Sequence, residues 1–188
     1  MWNTSELIGD DMQKQPTRRS KSLPKYLDKA IVDSILDKAR EKSTWDYLVL
    51  TSLWRTGMRE SDLVQVVKRD LKPGEITVRQ GKGNKDRLIP IDQALFDLLT
   101  LHSASLSLDD RLFPVSEARV RQICYKYRGE EGLHPHMLRH SYAVHCLKSG
   151  MNIRTLQKIL GHKDLNTTAV YLDLIADDLK EEHRKVIW

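Results

Sequence analysis

Sulfur and aromatic rings are scarce in this sequence: its 188 residues include 2 cysteines, 2 phenylalanines and 6 % aromatics in all. Cys124 and Cys146 are too few for a disulfide scaffold and lack metal-site spacing, which fits a reducing cytosol. Long apolar runs are missing as well. Nothing approaches the roughly 18 consecutive apolar residues of a membrane-spanning helix. The opening MWNTSELIGDD has neither the basic leader nor the apolar stretch of a secretory signal, so a cytoplasmic protein is expected. No internal repeat appears. What is present is one domain's worth of chain, 40 % hydrophobic and 30 % charged, with a formal net charge of +5. Such a chain can bury a core alone, and its charge suits a polyanionic partner without naming one.

The charge is unevenly placed. Between Met12 and Tyr26 lie Lys14, Arg18, Arg19, Lys21 and Lys25 with no acidic residue, interrupted by Pro16 and Pro24. Residues 1–27 therefore read as a basic arm, either a solvated tail or a strand laid along phosphates. At the other end, Asp173, Asp177, Asp178, Glu181 and Glu182 oppose Leu172, Ile175, Leu179 and Val186 on an amphipathic last helix that needs a partner surface.

Between these ends the periodicity is mostly helical. It predicts helices over 29–42 and 44–56, the second stopped by Gly57, and a short one from Ser61 or Asp62 through Val67. Further helices are expected after the N-cap candidates Asp92 and Ser116, from Pro135 to Gly150, from Ile153 to Leu160 before Gly161, and from Asn166. One β feature interrupts them: 75–80 and 86–91 read as strands of a hairpin turning through Gly81-Lys82-Gly83-Asn84.

Several stretches carry more reactive side chains than packing needs. Arg59 in TGMRESDL follows a helix end, where an exposed structural arginine is the ordinary alternative. Lys82 sits between glycines in the hairpin turn with Lys85 close by, although hairpin lysines commonly serve only solubility. HPHMLRHSYAVH holds His134, His136, His140 and His145 around Arg139. His136 and His140 have the i, i+4 spacing of a zinc helix, but Met137 stands where that motif needs a glutamate, so no metal is expected. His136 and Arg139, at i, i+3, can instead converge on a small anion. In LGHKDLNTTAVY, His162 alone could be a helix cap and Tyr171 a core aromatic. Together, the arginines, lysine, histidines and tyrosine suit metal-free phosphoryl transfer, in which cations hold the phosphate and an oxygen attacks in line. A tyrosine nucleophile, with an ordinary pKa of about 10, needs a neighbouring base and a cationic pocket.

These separated boxes, in this order, resemble the tyrosine recombinases, or phage-type integrases, whose catalytic fold is shared with type IB topoisomerases. TGMRESDL resembles the first arginine box, GKGNKDRLIPI the lysine hairpin, HPHMLRHSYAVH the His-x-x-Arg box and LGHKDLNTTAVY the box ending in the nucleophile. The resemblance implies a mainly α fold with a small antiparallel β-sheet (α+β), with the catalytic domain at 28–188 including the C-terminal helix. It implies that Arg59 and Arg139 grip the scissile phosphate, that His162 donates a further hydrogen bond to it, and that Tyr171 attacks. Lys82 would protonate the departing 5′ oxygen, His136 would assist proton removal from Tyr171, and Asp62 would orient the site. Lys85 falls second in the turn and, with Arg18, Arg19 and Lys21, is expected to contact DNA rather than act as the acid. The product would be a 3′-phosphotyrosyl link and a free 5′ hydroxyl, formed without cofactor, metal or ATP.

The sequence departs from the family's usual pattern in places. Family members usually carry a helical core-binding domain before the catalytic one, forming the other jaw of a clamp on double-stranded DNA. Here only the arm precedes, and the initiating Met1 favours a solitary catalytic domain, similar to the recombinases that invert fimbrial promoters, over a fragment. Asp62 replaces a commoner Glu, and Val144 a frequent Thr. Self-association on DNA through the C-terminal helix and an accessory DNA-binding protein are the further partners expected. The competing readings are a type IB-like topoisomerase and a non-catalytic DNA-binding regulator of the same fold.

Overall fold

A computed structural model describes residues 24–81, 85–129, 132–174 and 184. Helix α1 (Lys29–Lys42) packs along α2 (Thr44–Thr56), which is buried on nearly every side through Leu48, Val49, Leu50 and Leu53. Such an all-round apolar helix belongs at the centre of a core. Ser43 starts α2 by accepting a hydrogen bond from the Asp46 amide at 3.2 Å, and Gly57 ends it in the left-handed conformation at φ 61°. The buried Asp46 carboxylate is satisfied by Lys126 Nζ at 2.7 Å and Tyr127 Oη at 2.9 Å, which fastens α2 to α5 (Glu117–Lys126).

After Gly57 comes a single turn, α3 (Glu60–Leu63), with Arg59 as its N-cap residue. It begins and ends earlier than the 61–67 helix expected, because the Asp62 carboxylate reaches back to the Arg59 amide at 3.2 Å and fixes the start there. A three-stranded antiparallel sheet follows, in the order β1 (Leu71–Lys72), β2 (Glu75–Gly81), β3 (Lys85–Pro90). The hairpin is the one expected, with the two-residue β1 added at its edge. Pairing Ile76 with Ile89 and Val78 with Arg87 turns these four residues to one face, since directly opposed residues share a side. Ile76, Val78 and Ile89 on that face are core residues.

Helices α4 (Gln93–His102) and α5 start on Asp92 and Ser116, whose side chains accept from the Leu95 and Arg119 amides at 3.0 and 3.2 Å. Then α6 (Pro135–Lys148) runs through the core against α2, α7 (Ile153–Leu160) ends at Gly161 with φ 65°, and α8 (Asn166–Asp173) crosses both α6 and α7. The mainly helical class with a small antiparallel sheet is the one read from sequence. The packed domain starts before the 27/28 boundary drawn there: Leu27 is buried and its amide donates to Ser141 Oγ at 2.8 Å. Arg18, Arg19, Lys21 and Lys82 lie outside the described residues, as does, apart from Arg184, the part beyond Leu174 of the amphipathic last helix expected from sequence. Among the described residues no helix is long and apolar enough to cross a membrane.

Candidate active site

The end of α2, the start of α6 and the end of α7 meet at Arg139, which is 3 % exposed. Its Nη1 donates to the Gly57 carbonyl at 2.6 Å and its Nη2 to the Leu160 carbonyl at 2.7 Å. Both helices end on left-handed glycines, so their last carbonyls are exposed to a donor rather than spent within the helix. Nη2 also meets His162 Nε2 at 3.0 Å. A guanidinium has five N–H donors, so Nε–H and one Nη1–H remain for an incoming anion. Burial, followed by the charges of Arg59 and Arg87, pulls the Arg139 pKa down from its ordinary value.

Arg59 stands at the N-cap of α3, 19 % exposed, and its buried Nη1 has no hydrogen-bond partner. The nearest carboxylate to it is Asp62, whose Oδ2 is 4.0 Å from Arg59 Nη1 but 2.6 Å from Arg87 Nη2. Arg87 comes from β3, where its register opposite Val78 turns it inward. Among the described residues, the carboxylate set against Arg59, Arg87 and Arg139 is that of Asp62, and the charges of Arg59, Arg87 and Asp62 all act on Arg139. Three buried or half-buried guanidinium groups beside one carboxylate leave an excess of positive charge suited to an anion.

His162 lies beside Arg139 as expected, but in a different hydrogen-bonding role. Arginine can only donate, so Nε2 is the acceptor, and Nδ1 carries the proton toward Thr168 Oγ1 at 2.9 Å. Both ring nitrogens are engaged, and donation to a phosphate requires Arg139 to release Nε2. Burial and then Arg139 and Arg59 hold the His162 pKa down at about 4.

Tyr171, on α8, is 2 % exposed, and its hydroxyl is 2.8 Å from His140 Nδ1. Burial raises its pKa while Arg139 and Arg59 pull against that rise. The histidine hydrogen-bonded to Tyr171 is thus His140, whereas the one expected to assist it was His136. His136 lies one turn earlier on α6, stacked on His140 with ring centroids 6.4 Å apart, and no hydrogen bond joins it to Tyr171 among the described contacts. The reason is the crossing of α8, which passes α6 over residue 140. The other two histidines of that stretch do structural work: His134 Nδ1 caps α6 by accepting from the Met137 amide at 3.1 Å, and His145 packs on Trp54 at 5.5 Å. Sequence reasoning missed Arg87, Thr168 and the contact between His140 and Tyr171. The signal for Arg87 was alternation, since a strand that turns Ile89 inward turns residue 87 inward as well.

The sequence matches the phage integrase family over residues 25–177. The chain belongs to that family. It is 33 % identical over 185 residues to tyrosine recombinase XerA of Thermococcus onnurineus, an alignment that covers 91 % of this chain and 66 % of that protein. This phage integrase family member therefore spans just under two thirds of that relative. The crystal structure of XerA recombinase superposes with a TM-score of 0.74 at 26 % identity, covering 92 % of this chain and 68 % of the other. The catalytic domain of bacteriophage HP1 integrase superposes with a TM-score of 0.68 at 27 % identity, covering 86 % of this chain and 94 % of that domain.

Proposed function

We propose that this chain is the catalytic unit of a site-specific recombinase acting on double-stranded DNA. The observation that carries the reading is the joining of a cluster of Arg59, Arg87 and Arg139, short of anionic partners, to a buried tyrosine hydrogen-bonded to a histidine. A phosphodiester entering this cluster meets Arg59 and the open N–H groups of Arg139, which stabilise the charge growing on its non-bridging oxygens. The Tyr171 oxygen then attacks phosphorus and the bond to the 5′ oxygen breaks, leaving a 3′-phosphotyrosyl link and a 5′ hydroxyl. The phenolic proton passes to His140, its hydrogen-bond partner. By family resemblance, Lys82 supplies the proton that the leaving oxygen needs.

Without a bound phosphate, burial disfavours the charged forms of both Tyr171 and His140. Burial raises the pKa of the phenol, while burial, then His136 and Arg139, holds the His140 pKa at about 4, so both shifts oppose proton transfer. A bound phosphate offsets the arginines and raises the basicity of His140, which ties attack to substrate arrival. Self-association through the segment beyond α8 and an accessory DNA-binding protein belong to the same reading and rest on the family resemblance.

The test is covalent capture. Wild type and Tyr171→Phe are incubated with nicked duplexes prepared from genomic fragments of the source organism, denatured, and run on a gel. Wild type should retain DNA covalently and Tyr171→Phe should not, while both shift DNA in a native gel; sequencing the trapped strands yields the site. Absence of an adduct with wild type would sink the enzymatic reading. Plasmids carrying two copies of the recovered site then separate recombinant junctions from simple relaxation.

A further inference from the structure

We propose that Arg87 is a positioning residue of the phosphate grip: by holding the Asp62 carboxylate, it leaves Arg59 open to an anion. The inference rests on the reading of the arginine cluster as a phosphate site and adds a part to it.

Asp62 is one carboxylate between two cations. Its Oδ2 is in contact with Arg87 Nη2 at 2.6 Å and stands off from Arg59 Nη1 at 4.0 Å. Arg59 is only three residues back along the same turn, and the Asp62 carboxylate already accepts from its amide. Besides that amide, the described contact that holds this carboxylate oxygen away from the Arg59 guanidinium is the one to Arg87. Once closed, a bidentate Arg59–Asp62 pair would occupy the donors that a phosphate needs, and would cancel the charge that attracts it.

Arg87 is built to hold its end of the contact. It is 10 % exposed and lies on the inner face of the hairpin opposite Val78. Its Nε donates to the Ile159 carbonyl at 3.0 Å, so the guanidinium is fixed by the end of α7 independently of Asp62. Its stem passes over Gly161, where an added Cβ would lie 2.9 Å from Arg87 Cδ. The left-handed residue that ends α7 therefore also makes room for the arginine. A lysine at 87 would keep the charge but lose the fork that spans Asp62 and Ile159.

A purely structural salt bridge between β3 and α3 predicts something different, and inorganic phosphate, used as the probe, tells the two apart. Phosphate affinity is measured by NMR titration at constant ionic strength, below the unfolding temperature of every variant compared. Wild type should bind and Arg59→Met should lose binding; if these two behave alike, the phosphate reading itself fails. Given that control, folded Arg87→Met should bind phosphate about tenfold more weakly or worse. The double variant D62N/R87M should return to within about threefold of Asp62→Asn alone, because an amide cannot neutralise Arg59. Arg87→Lys should fall between wild type and Arg87→Met.

Folded Arg87→Met binding phosphate as wild type does would show a structural bridge and overturn the proposal. A double variant as weak as the product of the single effects would show Arg87 touching the anion itself, and would overturn it equally. If Arg87→Met does not fold, the comparison of D62N/R87M with Asp62→Asn decides alone: equal affinities support the proposal and a weaker double variant refutes it.

Discussion

His140 Nδ1 and the Tyr171 hydroxyl are 2.8 Å apart, joined across the α6–α8 crossing in a region where Tyr171 is almost wholly buried. This bond does two jobs. It satisfies a phenol oxygen that would otherwise cost about 1–3 kcal/mol as an unpaired buried group, and in the tautomer with Nδ1 unprotonated it points the phenolic proton at an acceptor. In single-turnover cleavage of a recovered site at saturating DNA, His140→Ala should slow adduct formation by about a hundredfold with DNA affinity preserved. His136→Ala should have the smaller effect. The reverse ranking would return the proton-accepting role to His136.

The tautomer of His162 is set by Arg139, which can only donate to Nε2, and Thr168 takes the proton that this leaves on Nδ1. Thr168 is fully buried and its hydroxyl is the only described acceptor for the His162 Nδ1 proton, at 2.9 Å. Thr168→Val keeps the shape and removes that acceptor, which should cost about 1 kcal/mol of stability. It should not move the proton to Nε2, because Arg139 still donates there. Nitrogen-15 chemical shifts of the ring read the tautomer directly. Loss of the Nδ1–H signal in the valine variant would mean that Thr168, not Arg139, fixes it.

Gly57 and Gly150 share a left-handed backbone, with φ 61° and 87°, yet they should respond differently to alanine. A Cβ at Gly57 would lie 2.4 Å from Tyr142 Cδ1, whereas nothing lies within 4 Å of one at Gly150. Gly150→Ala should cost only the backbone penalty, about 1–2 kcal/mol. Gly57→Ala adds a clash with a packed ring, and the backbone shift that relieves it must move the carbonyl that Arg139 holds. Denaturant unfolding should place Gly57→Ala well below Gly150→Ala in stability, and the Gly57 variant alone should lose phosphate affinity. Equal losses would mean that the Tyr142 ring yields freely.

What was legible in the sequence was local. Gly57 and Gly161 announce helix ends, Asp92 and Ser116 announce helix starts, and the Gly-Lys-Gly-Asn turn announces a hairpin, because each effect is settled within a few residues of chain. Arg59, Asp62, Arg139, His162 and Tyr171, expected to act together, do converge, and it was the order of the boxes that indicated it. The rest depended on contacts between distant segments. His136 and His140 differ by one helical turn, and only the path of α8 decides which meets Tyr171. Arg87 acquires its role from a strand register on one side and the end of α7 on the other. Tyr26 and Leu27 read as the end of a charged arm, but α6 offers them a place to pack.

The two site histidines also make acid sensitivity a measurable property of the cluster. His140 and His162 are both held near a pKa of about 4, below the ordinary value of 6.5, by burial first and by neighbouring cations after it. In the unfolded chain they take up protons as the pH falls through 6.5, while the folded chain still refuses them. Stability from this source is thus complete above about pH 7 and is lost progressively between 6.5 and 4. His134, lowered by burial at the cap of α6, adds in the same direction. The denaturation midpoint should therefore be flat above neutrality and fall on acidification, with a shallower fall in His140→Asn and His162→Gln. An anion between Arg59 and Arg139 favours the imidazolium forms, so inorganic phosphate at matched ionic strength should raise both histidine pKa values in an NMR titration. If both rings titrate near 6.5 without phosphate and do not move when it is added, the cationic cluster does not act on them as described.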